Sequence, residues 1–594
     1  MVDKVKIGIR PVIDGRWMGV REGLEEQTMN MARAAKQLIE EHCFYADGRH
    51  AECVIADGTI AGGREAAEAE AKFTKENVIA TLSVTPCWCY GSETMDLNPL
   101  TTKAVWGFNG TERPGAVYLA AVMAAHAQRG LPAFAIYGRD VQDAADTSIP
   151  DDVKEKILRF AQCSLAVGQL KNKAYVSIGS VSMGIGGSFL DPQLMQDYFN
   201  IRAEWVDMTE IIRRVEKGIF DKTEYEKLLA WIKAHCTESP EDYNETAWGN
   251  GPLDRATKDK QWEFTAKMTL IIKDIMFGNG KLDEIGWHEE ALGRNAIAAG
   301  FQGQRMWTDF KPNADFPEAI LCSTFDHNGK KEPVILATEN DNCNGLAMLF
   351  SKLLTGQASA FADVRTYWSP AAVKRVSGWA PDGKAKDGFI HLINSGAAAL
   401  DATGAAKTEA GTPVMKPWWK VTDKDIGAMT EATVWSPANR GYFRGGGYSS
   451  KFETRSEMPV TLVRFNMVKG LGYTLQIAEG WTVVLPEKVS KQLWDRTDPG
   501  WPCTWFAPRL DPACPSFQDV YSVMAAWGAN HGAFTYGHIG ASLVTLASML
   551  RIPVTLHNVP LEAVYRPHAW FSFGTRDLES ADYRACAAYG PLYR

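Results

Sequence analysis

The chain has 594 residues, of which 45% are hydrophobic and 23% are charged, and these values are ordinary for a folded globular protein. Its formal net charge of −8 gives it no electrostatic reason to bind nucleic acid or an anionic membrane. No apolar run is long enough to cross a bilayer and the amino terminus lacks an apolar signal core, so we expect a cytoplasmic protein without nucleic-acid or membrane partners.

The length predicts several domains, because single hydrophobic cores stop growing at roughly 250 to 300 residues. Residues 1–170 alternate strand-like and helix-like segments, such as the amphipathic pattern at 25–42, and predict a parallel α/β domain. Residues 171–352 continue this alternation and predict a second α/β domain. In residues 353–594, strand-like pieces between loops rich in Gly, Ser and Pro predict a β-rich carboxy-terminal domain.

The stretch "PVILATENDNCNG" (333–345) places a carboxylate directly after an apolar run. Glu339 would lose hydration at the edge of a core unless a cation compensated its charge. A helix-like segment follows, and the next strand carries Asp363 near its end. We expect a right-handed crossover that sets the two strands side by side in one parallel sheet, about 4.8 Å apart, with both carboxylates at one pocket. Two carboxylates this close repel each other unless a cation lies between them.

Local sequence leaves an ordinary structural explanation equally open. Glu339 could cap the following helix or pair with an arginine, and Asp363 could pair with Arg365. A third metal ligand would be an imidazole or another carboxylate. His531 is a candidate because "WGANHGAFTYGH" places it in a glycine-containing loop, although a histidine of this kind is also common as a core or surface residue.

Two glycine-rich stretches lack the patterns that bind nucleotides. "MGIGGS" (183–188) lacks the third glycine of the dinucleotide fingerprint, and "FRGGGYSS" (443–450) lacks the lysine of a phosphate-binding loop. Aromatic clusters in "TPCWCYGSETM" and "KPWWK" are compatible with stacking on a sugar, and equally with a core or a subunit interface.

Several longer motifs occur along the chain, namely "KIGIRPVIDGRWMGVRE", "TPCWCYGSETMD", "NAIAAGFQGQR", "ATENDNCNG", "FADVRTYWSP", "YFRGGGYSS", "TWFAPRL" and "YSVMAAWGANHG". Together these motifs resemble those of the L-fucose isomerase family, bacterial aldose–ketose isomerases that commonly also accept D-arabinose. The resemblance implies two α/β domains followed by a largely β domain, and a hexamer in which a neighbouring subunit completes each site. It implies conversion of L-fucose to L-fuculose and of D-arabinose to D-ribulose.

The resemblance also implies a manganese ion held by Glu339, Asp363 and His531. The two carboxylates would act as the acid–base pair that moves a proton between C1 and C2 of the sugar through an enediol. Sugar contacts are implied for Arg16, Trp88, Gln302, Ser395, Tyr442, Trp505 and Asn530. Trp88 would come from the neighbouring subunit. The loop around "KTEAGTPVMKPWWK" and residues 240–260 match the family pattern loosely, so another aldose is an alternative substrate. A sugar-binding protein that kept the fold without turnover is a separate alternative.

Overall fold

The first part of the chain forms a parallel sheet covered by helices. The computed structural model describes residues 4–244, 251–393 and 397–594. The elements of this part are β1 (Lys6–Pro11), α1 (Glu25–His42), β2 (Cys53–Ile55), α2 (Gly63–Lys75), β3 (Val78–Thr85), β4 (Thr102–Gly107), α3 (Ala116–Gln128), β5 (Ala133–Ile136) and α4 (Asp151–Leu170). The strand order is β2-β1-β3-β4-β5, with parallel pairing. From β1 the chain first adds a strand on one side of the sheet, β2, and then adds β3, β4 and β5 on the other side. The carboxyl ends of β1 and β3 therefore form the switch point where open α/β sheets bind ligands.

The second part repeats this architecture. Its elements are β6 (Ala174–Ile178), α5 (Pro192–Phe199), β7 (Arg202–Val206), α6 (Thr209–Lys217), α7 (Lys222–His235), α8 (Arg255–Phe277), α9 (Gly280–Glu284), β8 (Ala296–Phe301), α10 (Asp315–Cys322), β9 (Phe325–Asp326), β10 (Gly329–Lys330), β11 (Ile335–Ala337) and α11 (Asn342–Thr355). The parallel sheet has the order β11-β8-β6-β7, and β9 and β10 form a separate hairpin. Its switch point lies between β6 and β8, so the loops after β8 and β11 belong to the edge where ligands bind.

The third part is built around an antiparallel sheet that closes into a barrel. Its elements are β12 (Ala360–Trp368), α12 (Pro370–Ser377), β13 (Phe389–Ile393), α13 (Asp423–Glu431), β14 (Val434–Pro437), β15 (Tyr448–Lys451), β16 (Pro459–Val468), β17 (Gly472–Thr482), α14 (Glu487–Trp494), β18 (Cys503–Pro508), α15 (Val520–Ala526), β19 (His531–Tyr536), α16 (Gly540–Met549), β20 (Val554–Leu556) and α17 (Leu578–Tyr589). The order is β16-β19-β12-β13-β18-β17-β20, and β16 also pairs with β17 to close the ring. Strand β20 joins β17 in parallel, and β14 and β15 form a separate ribbon.

The predicted fold class is confirmed: two parallel α/β sheets precede a β-rich region. One continuous hydrophobic core joins the three parts, and it includes Ile9, Val176, Leu346 and Val463. The predicted domain limits stay a prediction, although α11 runs past residue 352 and ends where Gly356 adopts a left-handed conformation with φ 67°. In the described ranges no helix has the length and apolar character needed to cross a membrane. The cytoplasmic location also stays a prediction.

The prediction that the strands before and after α11 lie side by side in one parallel sheet is wrong. Strand β12 pairs antiparallel with β13 and β19 in the barrel, whereas β11 pairs with β8 in the second sheet. The reason is the environment of α11, in which every residue from Asn342 to Leu353 is buried. A helix that is buried around its whole circumference packs between layers rather than on one surface. Helix α11 packs against β8 and β11 on one side and β16 and β19 on the other, and so leads the chain from one sheet to the next.

The pH dependence of stability should report a histidine buried in α3. His126 is 3% exposed, and burial lowers its pKa to about 4. In the unfolded chain a histidine binds a proton below about pH 6.5, so the unfolded state binds more protons between these two values. The free energy of unfolding should therefore fall as the pH drops from 6.5 towards 4, by up to about 1.4 kcal/mol per pH unit for this group.

The contribution of His126 can be isolated by comparing variants. Thermal unfolding midpoints measured from pH 7.5 to 5 should fall less steeply in His126→Gln than in the wild-type protein. The exposed His42 in α1 provides the control, because His42→Gln should keep the wild-type slope. Equal slopes in His126→Gln and the wild-type protein would show that the buried imidazole does not govern this pH range.

Candidate active site

Glu339, Asp363 and His531 lie together at the junction of the second sheet and the barrel. Glu339 follows β11, Asp363 lies in β12, and His531 begins β19 directly opposite Asp363. His531 Nε2 is 3.2 Å from Glu339 Oε2 and 3.4 Å from Asp363 Oδ1. The three side chains proposed from the resemblance thus converge, although Asp363 reaches Glu339 from another sheet rather than from a neighbouring parallel strand.

The backbone turns sharply to bring the Glu339 carboxylate into this cluster. Glu339 and Asn340 both adopt left-handed conformations, with φ of 56° and 53°. Such conformations cost on the order of 1 to 3 kcal/mol for a residue other than glycine and concentrate at functional sites. The Glu339 side chain is buried, and Gln304 Nε2 donates a hydrogen bond to its Oε1 at 3.2 Å. This contact explains why the orientation of the carboxylate is fixed.

Asp341 is a central residue that the sequence analysis missed as part of the site. It is fully buried, and its Oδ1 accepts a hydrogen bond from the backbone N–H of Asn344, which caps α11. Its Oδ2 accepts from His531 Nδ1 at 2.7 Å and forms an ion pair with the buried Arg464. Burial alone would raise the pKa of Asp341, but Arg464 and His531 hold it well below its usual value. Asp341 therefore fixes the orientation of the His531 ring and directs Nε2 towards Glu339 and Asp363.

The electrostatics of the cluster favour a positive charge at its centre. Burial raises the pKa of Asp363 to about 7, an effect that His531 opposes and the nearby Glu339 reinforces. Burial would lower the pKa of His531, but hydrogen bonds to Asp341 and Glu339 raise it to about 10. The carboxyl groups of Glu339, Asp341 and Asp363 surround the His531 imidazole and thus favour a positive charge among them.

The donor atoms fit a hard divalent metal ion such as Mn²⁺. Carboxylates with an imidazole are suitable ligands, and Asp363 Oδ1 is buried without a hydrogen-bond partner in the described part of the chain. The separations of 3.2 and 3.4 Å from His531 Nε2 are close to the roughly 3 Å between neighbouring ligands of an octahedral ion. No three His, Cys, Asp or Glu side chains within the described ranges form a ready-made metal cluster. In this structure the His531 Nε2 atom contacts the carboxylates of Glu339 and Asp363 directly.

Strand β12 carries a bulge beside this cluster. Its register with β13 shifts between Val364 and Thr366, so Arg365 is the extra residue. Arg365 Nη2 is 2.7 Å from Asp498 Oδ2, and Nη1 is 3.7 Å from Asp363 Oδ2. The alternative in which Asp363 pairs with Arg365 is therefore realised only as a long contact, because Asp498 is the closer partner.

Asn530 and Gln302 lie close to the cluster in different ways. Asn530 Nδ2 is 2.9 Å from His531 Nε2, so this side chain borders the cluster directly. Gln302 follows β8 and is 1% exposed, and its Oε1 accepts a hydrogen bond from the backbone N–H of Ser180. Gln304, two residues further on in the same "FQGQR" motif, makes the contact to Glu339 that the sequence analysis did not assign.

Tyr442 and Trp501 form an aromatic wall near the end of β13. The Tyr442 side chain is exposed, and its ring centroid lies 5.8 Å from that of Trp501. Trp501 packs with Ile393, the residue opposite Asp363 in β13. An exposed ring beside hydrogen-bonding groups is suited to the C–H face of a sugar.

The glycines that follow Tyr442 have a packing role. A Cβ atom on Gly445 would lie 2.0 Å from the carbonyl oxygen of Lys311, and one on Gly447 would lie 2.1 Å from Asn313 Oδ1. The backbone of this loop therefore approaches its neighbour more closely than any side chain would permit.

Trp505 is not placed with the cluster. Trp505 is 2% exposed, its indole N–H donates to Ser490 Oγ, and its ring packs against Phe389 and His391. Ser395 lies outside the described residues. Their implied sugar contacts stay predictions.

Arg16 and Trp88 lie on the two loops at the switch point of the first sheet, after β1 and β3. Arg16 pairs with the buried Asp14, with Nε 3.0 Å from Oδ1, and its own side chain is 60% exposed. Trp88 is 39% exposed. Within the described ranges no hydrogen bond, ion pair or ring contact joins either residue to Glu339, Asp363 or His531.

Comparison with known proteins gives consistent matches along the chain. Family models described as the first N-terminal, second N-terminal and C-terminal domains of L-fucose isomerase match residues 4–172, 173–356 and 392–558. A protein named L-fucose isomerase from Bacteroides fragilis (strain YCH46) is 59% identical over 589 residues, which is 99% of each chain. One from Phocaeicola vulgatus is 59% identical over 593 residues, and one from Streptococcus pneumoniae serotype 2 is 58% identical over 594 residues, with both chains covered fully in the latter case.

Proposed function

Because this chain belongs to the L-fucose isomerase family, we propose that it converts L-fucose to L-fuculose and D-arabinose to D-ribulose. The motif resemblance is thereby confirmed at the level of the family, and the chain is an isomerase. The observation that carries the specific proposal is the convergence of Glu339, Asp363 and His531 at the carboxyl edge of the second sheet. A protein that only bound sugars would not need a buried pair of carboxylates aligned in this way.

The proposed reaction moves one proton between neighbouring carbons. One member of the pair Glu339 and Asp363, as the carboxylate, takes the proton from C2 of the aldose, the C2–H electron pair forms the C1–C2 double bond, and the other member, as the carboxylic acid, gives its proton to O1 to complete the enediol. The second member then takes the proton from O2, which becomes the ketone oxygen, while the first returns the C2 proton to C1, so both carboxyl groups regain their starting states. When bound, Mn²⁺ held by Glu339, Asp363 and His531 would supply Lewis-acid stabilisation of the charge on O1 and O2.

The other side chains hold and orient this machinery. Gln304 holds the Glu339 carboxylate, and Asp341 holds the His531 ring with Nε2 facing the two carboxylates. Tyr442 would face the apolar side of the sugar, and Asn530 would bind an oxygen near His531. Burial of the cluster limits competing contacts from water, which strengthens the electrostatic interactions inside it.

We also propose that the complete site needs a neighbouring subunit in a hexamer. Support comes from the placement of Arg16 and Trp88, which are exposed at the switch point of the first sheet and make no described contact to the cluster of their own chain. A sugar lying against Glu339 in one chain could then be covered by Trp88 from another. A second copy of the chain would supply the surface that carries Trp88.

Removal and return of the metal tests the proposed reaction. After treatment with a chelator, the protein should be inactive on both L-fucose and D-arabinose, and Mn²⁺ should restore most of the activity when Mn²⁺, Mg²⁺, Co²⁺ and Zn²⁺ are added separately. Ketose formation is measured directly by separating the sugars. Folded protein that forms neither L-fuculose nor D-ribulose with any of the four metals would exclude the proposed function.

A further inference from the structure

We infer that Arg365 and Asp498 form a hydroxyl-binding pair, in which the guanidinium and the carboxylate together bind the sugar hydroxyls beyond C2. The pair would thereby determine which aldose is accepted. The inference rests on the proposed isomerase function and adds a specificity determinant to it. Neither residue is among the ligands or sugar contacts assigned above.

The position of Arg365 follows from the bulge in β12. Bulges are common next to active sites because the extra residue can redirect a side chain. Arg365 is this extra residue, and its side chain points to the same side of the strand as Asp363, with Nη1 3.7 Å from Asp363 Oδ2. A sugar whose C1 and C2 lie at Asp363 would therefore present its next hydroxyls to the guanidinium.

Asp498 fixes the guanidinium and joins it to the aromatic wall. Its Oδ2 lies 2.7 Å from Arg365 Nη2, and its backbone carbonyl accepts a hydrogen bond from the N–H of Trp501. Trp501 supports Tyr442, with 5.8 Å between the ring centroids. The loop that carries Asp498 thus also supports an exposed aromatic ring, and a polar pair together with such a ring is the combination that recognises the two faces of a sugar.

The exposure of the pair is consistent with ligand binding. The Arg365 side chain is 35% exposed and that of Asp498 is 11% exposed, whereas those of His531 and Glu339 are 1% and 6% exposed. The pair therefore lies at the open side of the cluster. Arg365 Nη2 is engaged by Asp498, and within the described ranges Nη1 and Nε donate no hydrogen bond, so both can meet a second partner.

The chemistry of the pair matches two neighbouring hydroxyls. A guanidinium only donates hydrogen bonds and a carboxylate only accepts them, whereas a hydroxyl does both. One hydroxyl can accept from Arg365 while its neighbour donates to Asp498, provided that the two hydroxyls have the right relative configuration. An epimer turns one of them away and leaves a charged group without its partner, which is how polar sites reject close analogues.

The test compares aldoses that differ at one carbon. Values of kcat/KM are measured for D-arabinose, its C3 epimer D-lyxose and its C4 epimer L-xylose, using manganese-loaded wild-type protein and the variants Arg365→Gln and Asp498→Asn. Each variant should lose at least about tenfold in kcat/KM for D-arabinose, chiefly through KM, and the ratio of D-arabinose to the weaker epimers should fall by a similar factor. Binding of D-arabinitol, which cannot react, should weaken in parallel by calorimetry.

A matched ion pair in the barrel provides the control. Arg509 and Glu479 lie 2.9 Å apart, with side chains 26% and 3% exposed, and contact none of the cluster residues. Glu479→Gln should keep the wild-type aldose ratio even if it lowers the unfolding midpoint.

The outcomes separate this inference from the proposed function. Wild-type protein that turns over no aldose would exclude the function itself. Active, folded variants of Arg365 and Asp498 with the wild-type aldose ratio and wild-type affinity for D-arabinitol would overturn the inference alone. Should Arg365→Gln fail to fold, Arg365→Lys replaces it, because lysine keeps the charge and loses the planar guanidinium. An unchanged ratio of kcat/KM between D-arabinose and its epimers in Arg365→Lys would count equally against the inference.

Discussion

Replacing Glu339 by glutamine is expected to reduce turnover of L-fucose by about 10³-fold or more while the protein stays folded. Glutamine has nearly the same shape, but it removes the charge that faces His531 Nε2 at 3.2 Å and the group proposed to carry the proton. The variant is assayed with saturating Mn²⁺, and its unfolding midpoint and circular dichroism are compared with those of the wild-type protein.

Glu318 offers a control within the same layer of the structure. It is 3% exposed and its Oε2 accepts a hydrogen bond from Thr338, the residue before Glu339. Burial raises the pKa of Glu318 well above its usual value, and its carboxyl group contacts Thr338 rather than His531 or Asp363. Glu318→Gln should therefore retain most of the turnover. Wild-type turnover in Glu339→Gln would remove Glu339 from the mechanism.

The second large effect is expected for Asp341→Asn. The substitution leaves the Arg464 charge buried without its partner, since the Arg464 side chain is 1% exposed. Breaking one side of a buried ion pair costs about 3 to 5 kcal/mol of stability. The loss of the carboxylate behind His531 should also weaken Mn²⁺ binding by about 10- to 100-fold, as for other partners of metal-binding histidines. Urea unfolding and metal titration of chelator-treated protein measure the two effects separately.

Two further variants identify the cause of that loss. Asp519 caps α15 at the surface through the N–H of Ser522, and Asp519→Asn should cost no more than about 1 kcal/mol, because only the cap changes. The double variant Asp341→Asn, Arg464→Gln should recover part of the stability that Asp341→Asn loses, because no charge is then left unpaired. Equal stabilities of Asp341→Asn and the wild-type protein would mean that the ion pair contributes little.

Individual helices and strands could be predicted because their residue patterns lie within each segment of the sequence. The amphipathic pattern at 25–42 corresponds to α1 (Glu25–His42), and the alternation of strand and helix in the first two parts corresponds to their parallel sheets. The strand-like segments after residue 353 correspond to barrel strands such as β16 and β17. Periodicity and turn residues within each segment were sufficient for these predictions.

The partners of each strand could not be predicted in the same way. The apolar sequence of α11 is equally compatible with a crossover inside one sheet and with a helix between two sheets, and only the tertiary structure decides. The motif resemblance supplied Glu339, Asp363 and His531, whereas no sequence pattern assigned a role to Asp341. Its bonds to His531 and Arg464 cross 190 and 123 residues, and no local pattern records such distances.

The burial of α11 on all sides has a consequence for motion. This helix packs against the second sheet and the barrel at once, so a displacement that relaxed one contact would disturb the other. Close-packed interiors transmit such displacements rather than absorbing them. Glu339 begins the turn into α11, whereas Asp363 and His531 belong to the barrel. Two bodies that could otherwise hinge are thus held as one, and the separation of the Glu339 and Asp363 carboxylates should vary far less than two tethered domains would allow.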